Sequence, residues 1–292
     1  MIVRPVNDLA TWWQRPAIRW LLVIASITIA APWCAPYDPD TPLDLVALAS
    51  RSPSWAHPFG TDPYARDVLS RTLHGTRVTV LIALSAALLS TLIGTVYGAF
   101  AGFARPWLRL VLDRTIDVAL ALPRVLIVLA MTAALGPLPP VALAMLIGVT
   151  GWFTTARQIT DTVSALRGRE FTMAAVALGV PWARVVRVHL VPHFLPVLVV
   201  SSTFGVANAI ALEAGLSFLG LGLQPPTASW GAIMHDGAGM IDTHWWLTVF
   251  PGAATALTVL VANHVGDRLR DHFAPDHVLA TDTLSLPRAN TA

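Results

Sequence analysis

Nine histidines are the residues of this chain best suited to hold a metal or to move a proton near neutral pH. His189 and His193 stand four apart, which would put two imidazoles on one helical face; His272 and His277 stand near the polar end of the chain. Pro192 lies between the first two and is expected to break the helix that would align them. No carboxylate or cysteine cluster completes a coordination set around either pair. Cys34 is the lone cysteine, so an internal disulfide is impossible and the redox compartment stays open. Nucleophilic and hydrolytic arrangements are absent as well: there is no HExxH, no GxSxG and no aspartate pair within an apolar run. All 19 basic residues are arginine. A phosphate-binding P-loop requires GxxxxGK[ST], with Lys reaching the β/γ-phosphates. ATP, if the system uses it, is therefore bound by another subunit. The residues point to no catalysis, no metal and no cofactor.

The elements that would position any chemistry are apolar. Of 292 residues 55% are hydrophobic and 12% charged, with a mean hydropathy of +0.62. Soluble domains carry about twice that charge density. Residues 20–37, 78–104, 138–156, 194–212 and 245–265 contain no Asp, Glu, Lys or Arg. Each run is close to or beyond the roughly 18 residues that suggest a bilayer-spanning helix. A sixth run, 113–135, is apolar but holds Asp117, Pro123 and Arg124. The reading is six spans. The first run follows Arg4, Arg15 and Arg19, as a signal peptide would, but five further spans favour an uncleaved anchor. Net charge is +2 with no basic run, so nucleic-acid binding has no support. The tail after Pro275 is polar, without helical periodicity, and is expected to be disordered.

Arginines set the expected topology. Arg4, Arg15 and Arg19 place the N-terminus inside. The connections near Arg105, Arg109 and Arg114 and near Arg157, Arg167, Arg169, Arg184 and Arg187 then also lie inside, as does the C-terminal end with Arg268 and Arg270. The first outside loop, 38–77, is the exception, with five aspartates and four arginines. Within it Asp62 and Arg66, and Asp67 and Arg71, are spaced four apart, so a helix would set opposite charges side by side and balance them.

Between the fourth and fifth spans lies "EFTMAAVALGVPWARVVRVHLVP", residues 170–192. Phe171, Ala174, Ala175 and Leu178 recur at helical spacing and give one small, smooth face. Gly179 stands where a left-handed C-cap is expected, and Pro181 suits the first turn of a second helix. There Trp182, Val185, Val186 and His189 share a face, with Arg184 and Arg187 opposite. This predicts a helix–turn–helix against the membrane surface, either an interfacial connector or a docking site whose small residues let another body approach.

These residues resemble the EAA loop of ABC importer permeases. That motif has two alanines, a glycine four residues after the second, and, nine residues on, a short apolar stretch ending in proline. The matching positions are Ala174, Ala175, Gly179 and His189-Leu190-Val191-Pro192. Three further stretches resemble the peptide/nickel branch, C-type subunit: "HPFGTDPYARDVLSRTLHGTRVTV" (57–80), "EAGLSFLGLGLQPPTASWG" (213–231) and "FPGAATALTVLVANHVGDRLRDHFAP" (250–275). Together they cover most of the chain after residue 57, in order. The resemblance implies an all-α, polytopic membrane protein with six transmembrane helices and a cytoplasmic helix-turn-helix coupling loop. It divides the chain into a cytoplasmic N-terminus and first span (1–37), an extracytoplasmic segment (38–77), a permease core (78–272) with the coupling loop at 164–192, and a cytoplasmic tail (273–292). It implies a bacterial inner membrane with both termini cytoplasmic. Its partners would be a second, homologous permease, two ATP-binding subunits, an extracytoplasmic binding protein and membrane lipid. The cargo would be a di- or oligopeptide, or alternatively nickel or another metal chelate. The ATPase-coupling residues would be Glu170, Met173, Ala174, Ala175, Gly179 and Pro192. Met173 departs from the family, which often has glutamate there; Glu170, three residues earlier, lies on the same face. A membrane-embedded enzyme is the rival class, and the missing nucleophile and metal motifs argue against it.

Two further expectations concern ionisable groups and irregular backbone. Asp117 and Arg124 are seven apart, about two turns, and are expected to pair on one helical face. The 213–231 stretch has no charge after Glu213, but its glycines and Pro225-Pro226 forbid a continuous helix. It is read as a broken segment at the outer mouth, with Glu213, Ser217, Phe218, Gly220, Gly222 and Trp230 as pathway or outer-gate candidates; a plain outside loop is the simpler alternative.

Overall fold

The computed structural model describes residues 16–273, and the described residues are helical apart from short connections and one isolated bridge between Thr61 and Asp67. The N-terminal arginines Arg4 and Arg15, His277 and the polar tail lie outside them. Helix α1 covers Pro16–Cys34, followed by the single turn α2, Leu45–Leu48. Helix α3 runs from Val68 to Phe103, 36 residues. At 1.5 Å per residue it is about 54 Å long, well beyond the roughly 30 Å hydrocarbon core of a bilayer. Then come α4 (Pro106–Ala121), α5 (Arg124–Leu135), α6 (Pro140–Val149), α7 (Phe153–Arg167) and α8 (Glu170–Ala177). A turn of helix α9 (Trp182–Val185) leads through a π segment, Val186–Leu190, into α10 (Val191–Phe218). Helices α11 (Trp230–Gly237) and α12 (Trp246–Phe273) complete the bundle.

Among the described residues, α3, α10 and α12 are each long and apolar enough to cross a membrane, and α4–α5 makes a fourth if the bent pair is one span. The expected sixfold division is met only in this coarser form. The 113–135 run is not one helix: α4 and α5 meet at 76°. The cause is Pro123, which disfavours helical geometry at the residue before it. Leu122 is accordingly extended, with φ −88° and ψ 131°, and Pro123 becomes the cap of α5. The 138–156 run is likewise divided, at Thr150–Trp152, into α6 and the more polar α7.

Packing is inside-out relative to a soluble protein. Leu84, Leu88, Leu92, Val96 and Phe100 form an exposed stripe along α3, while Ala83, Ala86, Ala87, Gly94, Gly98 and Ala101 are buried on its inner side. Lipid gives no hydrophobic reward for burying leucine, so close approach of small residues holds such helices together. The α3–α7 seam shows this directly. A Cβ on Gly94 would meet Thr155 Cβ at 2.7 Å, one on Gly98 would meet Ala156 O at 2.5 Å, and one on Gly102 would meet Val163 Cβ at 2.7 Å. The central core joins Ile82, Leu143, Ile147, Ile210, Leu216 and Trp230 from α3, α6, α10 and α11.

Candidate functional site

The 170–192 segment stands at the end of the bundle where α3 and α7 finish. Thr172, 1% exposed, donates from Oγ1 to Leu166 O at 2.8 Å and fastens α8 to α7. Arg167 reaches Phe103 O at 3.3 Å at the end of α3. The Phe171 ring stacks on His193 at 5.6 Å, 19° from parallel, and ties α8 to the first turn of α10. The rest of α8 faces outward: Glu170, Met173, Ala174 and Ala177 are exposed and Ala175 is half-buried. Met173 also lines a 480 Å³ hollow with Phe103, Arg167, Thr172, Val176 and Ala177.

Gly179 ends α8 with φ +77°, as its place in the sequence requires. Val180 N–H donates to Ala175 O at 3.1 Å and Gly179 N–H to Val176 O at 3.0 Å, the paired bonds of a Schellman cap. A Cβ there would touch nothing within 4 Å, so the turn is open. The second helix differs from expectation. It does not close before the membrane segment, and Pro192 does not break it: the helix runs on through the π segment into α10. Proline lacks an N–H and crowds the carbonyl four residues back; a π turn, with Val191 N–H bonded to Val186 O, widens the helix just ahead of it. The side chains of Trp182 and His189 lie outside the described residues. Val185 is buried and Arg184 and Arg187 are exposed, in line with the expected faces.

A cavity of about 1,020 Å³ opens between α3, α5, α7 and α10. Pro192, His193 and Pro196 form part of its wall, so the 170–192 segment ends at the cavity. Arg124 also lines it. The expected Asp117–Arg124 pair does not form, because the bend at Pro123 puts the two on separate helices. Asp117 binds Arg157 instead, with Arg114 at 3.4 Å, and Arg124 Nη2 donates to Ile147 O at 2.6 Å.

At the opposite end the six outer-gate candidates divide. Glu213, Ser217 and Trp230 are wholly buried and lie together. Ser217 Oγ donates to Glu213 Oε1 at 2.8 Å, and Thr79 Oγ1 to Glu213 Oε2 at 3.1 Å. Trp230 Nε1 donates to Thr72 O at 3.2 Å. Gly222 packs on Ser217, Gly220 turns with φ +76° beside His235, and Phe218 is partly exposed. None of the six lines the cavity; Ser217 Oγ accepts from Leu223 N–H at 3.2 Å and so ties the irregular 219–229 segment, which contains Gly220 and Gly222, to α10.

Above them the 38–67 loop is fixed by charge. Arg66 Nε donates to Asp62 at 2.7 Å, an i,i+4 pair made in a turn rather than on a helix. The second expected pair is not made. Arg71 turns to Asp62 and Asp236, both at 2.7 Å, because Asp67 is the N-cap of α3 and binds Ser70 N at 2.8 Å and His57 Nδ1 at 2.9 Å. Asp38, exposed at the start of this loop, is held below the usual carboxylate range by the backbone N–H groups of Asp40 and Thr41. Sequence reasoning missed Asp236 and the Gly94, Gly98 and Gly102 seam. The four-residue glycine spacing was the available signal for the seam; Asp236, 165 residues from Arg71, gave none.

Comparison with known proteins places this geometry. Residues 94–277 match the family described as "Binding-protein-dependent transport system inner membrane component". The oligopeptide transport system permease protein OppC of Haemophilus influenzae is 33% identical over 266 residues, covering 90% of this chain and 85% of that one. The dipeptide transport system permease protein DppC of Bacillus subtilis is 34% identical over 257 residues, covering 87% and 79%. A solved inward-facing structure of the MetNI methionine ABC transporter shares the fold, with TM-score 0.57 and 17% identity over 71% of this chain and 98% of that one. The chain is an ABC transporter permease subunit without catalytic activity of its own, and it belongs to the family of binding-protein-dependent transport system inner membrane components.

Proposed function

We propose that this subunit carries di- or oligopeptides across the bacterial cytoplasmic membrane, paired with a second, homologous permease, and that α8 is the face on which an ATP-hydrolysing subunit docks. The topology proposed with it is six crossings with both termini cytoplasmic: α1, α3, the bent α4–α5, the divided α6–α7, α10 and α12. The reading of cargo rests on the peptide-transport relatives OppC and DppC. The reading of α8 rests on one observation above others. Small residues face outward on a helix that is itself anchored, through Thr172 and through the Phe171–His193 stack, to an element that also walls the cavity.

Such an arrangement passes motion without a hinge in between. When two ATPase subunits close, α8 moves with its socket. The Phe171–His193 contact and the continuous helix from Val186 onward carry that displacement to Pro192, His193 and Pro196 at the cavity wall. Glu170, Ala174, Ala175 and Gly179 shape the docking face. Met173, exposed at the rim of the hollow, carries no charge, so Glu170 in the first turn is the residue that would meet a cation on the ATPase. Glu213, Ser217, Phe218, Gly220, Gly222 and Trp230 form the outer gate. They hold irregular backbone that, at membrane depth, must be covered by protein. An extracytoplasmic binding protein delivers cargo there. Uptake of labelled dipeptide by the reconstituted importer, with and without ATP and binding protein, tests this reading; ATP-independent uptake, or none, overturns it.

A further inference from the structure

We propose that Arg124 is a carboxylate-binding residue of the cavity and receives the α-carboxylate of the peptide in transit. This rests on the peptide-permease reading above and deepens it. Among the described residues the cavity is lined by two cations, Arg124 and Arg270, and by no aspartate or glutamate. Asp117, the acid nearest in sequence, is committed to Arg157 and Arg114. The one hydrogen bond of Arg124 among the described residues runs from Nη2 to Ile147 O, which leaves most of its five N–H donors uncommitted. Its Nε is buried and has no hydrogen-bond partner among the described residues.

An intramembrane cation is expensive unless it is paired or faces water, and a guanidinium is the side chain whose planar fork matches a carboxylate in two parallel bonds. Ser90, Gln158 and Asn208 line the same cavity and can hydrogen-bond the polar backbone of a short peptide. The volume suffices for a small ligand. A free α-carboxylate is the one anionic group every linear peptide carries whatever its side chains. A site that reads it would serve a broad range of peptide cargoes.

Holding Ile147 O alone would make Arg124 a cap for the end of α6 and nothing more. The test separates these roles. The assembled importer is reconstituted in vesicles with saturating binding protein, loaded in turn with labelled dialanine and with dialanine amide, loading being verified for each. The expected result is that wild type moves the free acid about tenfold faster than the amide, the worth of one charge-assisted contact. Arg124→Gln then brings the acid down to the amide's rate and leaves the amide unchanged, while Arg124→Lys restores part of the difference. Equal slowing of both cargoes by Arg124→Gln, or no discrimination by wild type, overturns the inference while leaving the peptide reading in place. Transport of neither cargo by wild type overturns the peptide reading itself.

Discussion

Arg71 and Asp236 are 165 residues apart in sequence and 2.7 Å apart in space, joining the first turns of α3 to α11. Asp62 lies at the same distance from the same Arg71 nitrogen, and Arg66 bridges both acids. Arg71 is 1% exposed and Asp62 fully buried. Two of the four arginines in the 38–77 segment are thereby neutralised within the protein, which would relieve their conflict with the extracytoplasmic location proposed for it. Replacing Arg71 by alanine removes one of the two arginines that hold the buried Asp62 and leaves Arg66 as its remaining cation. Loss of the sole partner of a buried charge costs about 3–5 kcal/mol, and the Arg66 contact that remains keeps the cost below that range. Arg71→Ala should lower the thermal midpoint of the purified protein sharply, and Asp236→Asn should do less, because Asp62 still holds both arginines. Equal midpoints for wild type and Arg71→Ala would show that the pair holds nothing together.

The α3–α7 seam gives a second expectation. Gly98→Val should destabilise by more than the usual 1–3 kcal/mol of overpacking, since the first added atom already meets a backbone oxygen. Gly215→Ala is the control: nothing lies within 4 Å of its Cβ, and alanine is a better helix former by about 1 kcal/mol. Unfolding of both variants followed by circular dichroism should move in opposite directions.

Glu213 is the hub of the outer end. Glu213→Ala leaves the hydroxyls of Thr79 and Ser217 without their acceptor, at about 1–3 kcal/mol for each buried group left unpaired. Ser217 Oγ also accepts from Leu223 N–H at 3.2 Å, so the 219–229 segment should loosen with it. Hydrogen exchange across that segment should rise in Glu213→Ala and change little in Glu213→Gln. A segment unaffected by Glu213→Ala would mean that other contacts hold it.

What the sequence revealed, and what it did not, divides along one physical line. Gly179 was legible because a left-handed cap admits few other residues, and the apolar runs were legible because a bilayer sets a length. Both are local constraints. The Asp117–Arg124 pair failed because Pro123 bends the chain, so two turns of spacing no longer mean one face. Arg71 was assigned its i−4 neighbour, but Asp67 was already engaged as an N-cap with His57, and the real partners are Asp62 and the sequence-distant Asp236. The continuity of the second helix through Pro192 was hidden because a single π segment, invisible in composition, absorbs the proline.

Gly179 tests the turn after α8 by itself. An L-residue in this left-handed conformation is strained by about 1–2 kcal/mol, while the space around it is open. Gly179→Ala should therefore leave the bundle's thermal midpoint nearly unchanged and increase exchange at Val180 and Leu178. A large global destabilisation would contradict the open geometry of the turn.

The central claim is that the outward face of α8 receives the motor. Ala175 is half-buried on a short helix, and an arginine there can extend into solvent without disturbing the bundle. The most direct measurement is ATP-driven dipeptide uptake, with co-purification of the ATPase subunits, for wild type and Ala175→Arg. Ala175→Arg should fold with an unchanged midpoint but lose both the ATPase subunits and uptake. Retention of the subunits together with undiminished uptake would contradict it.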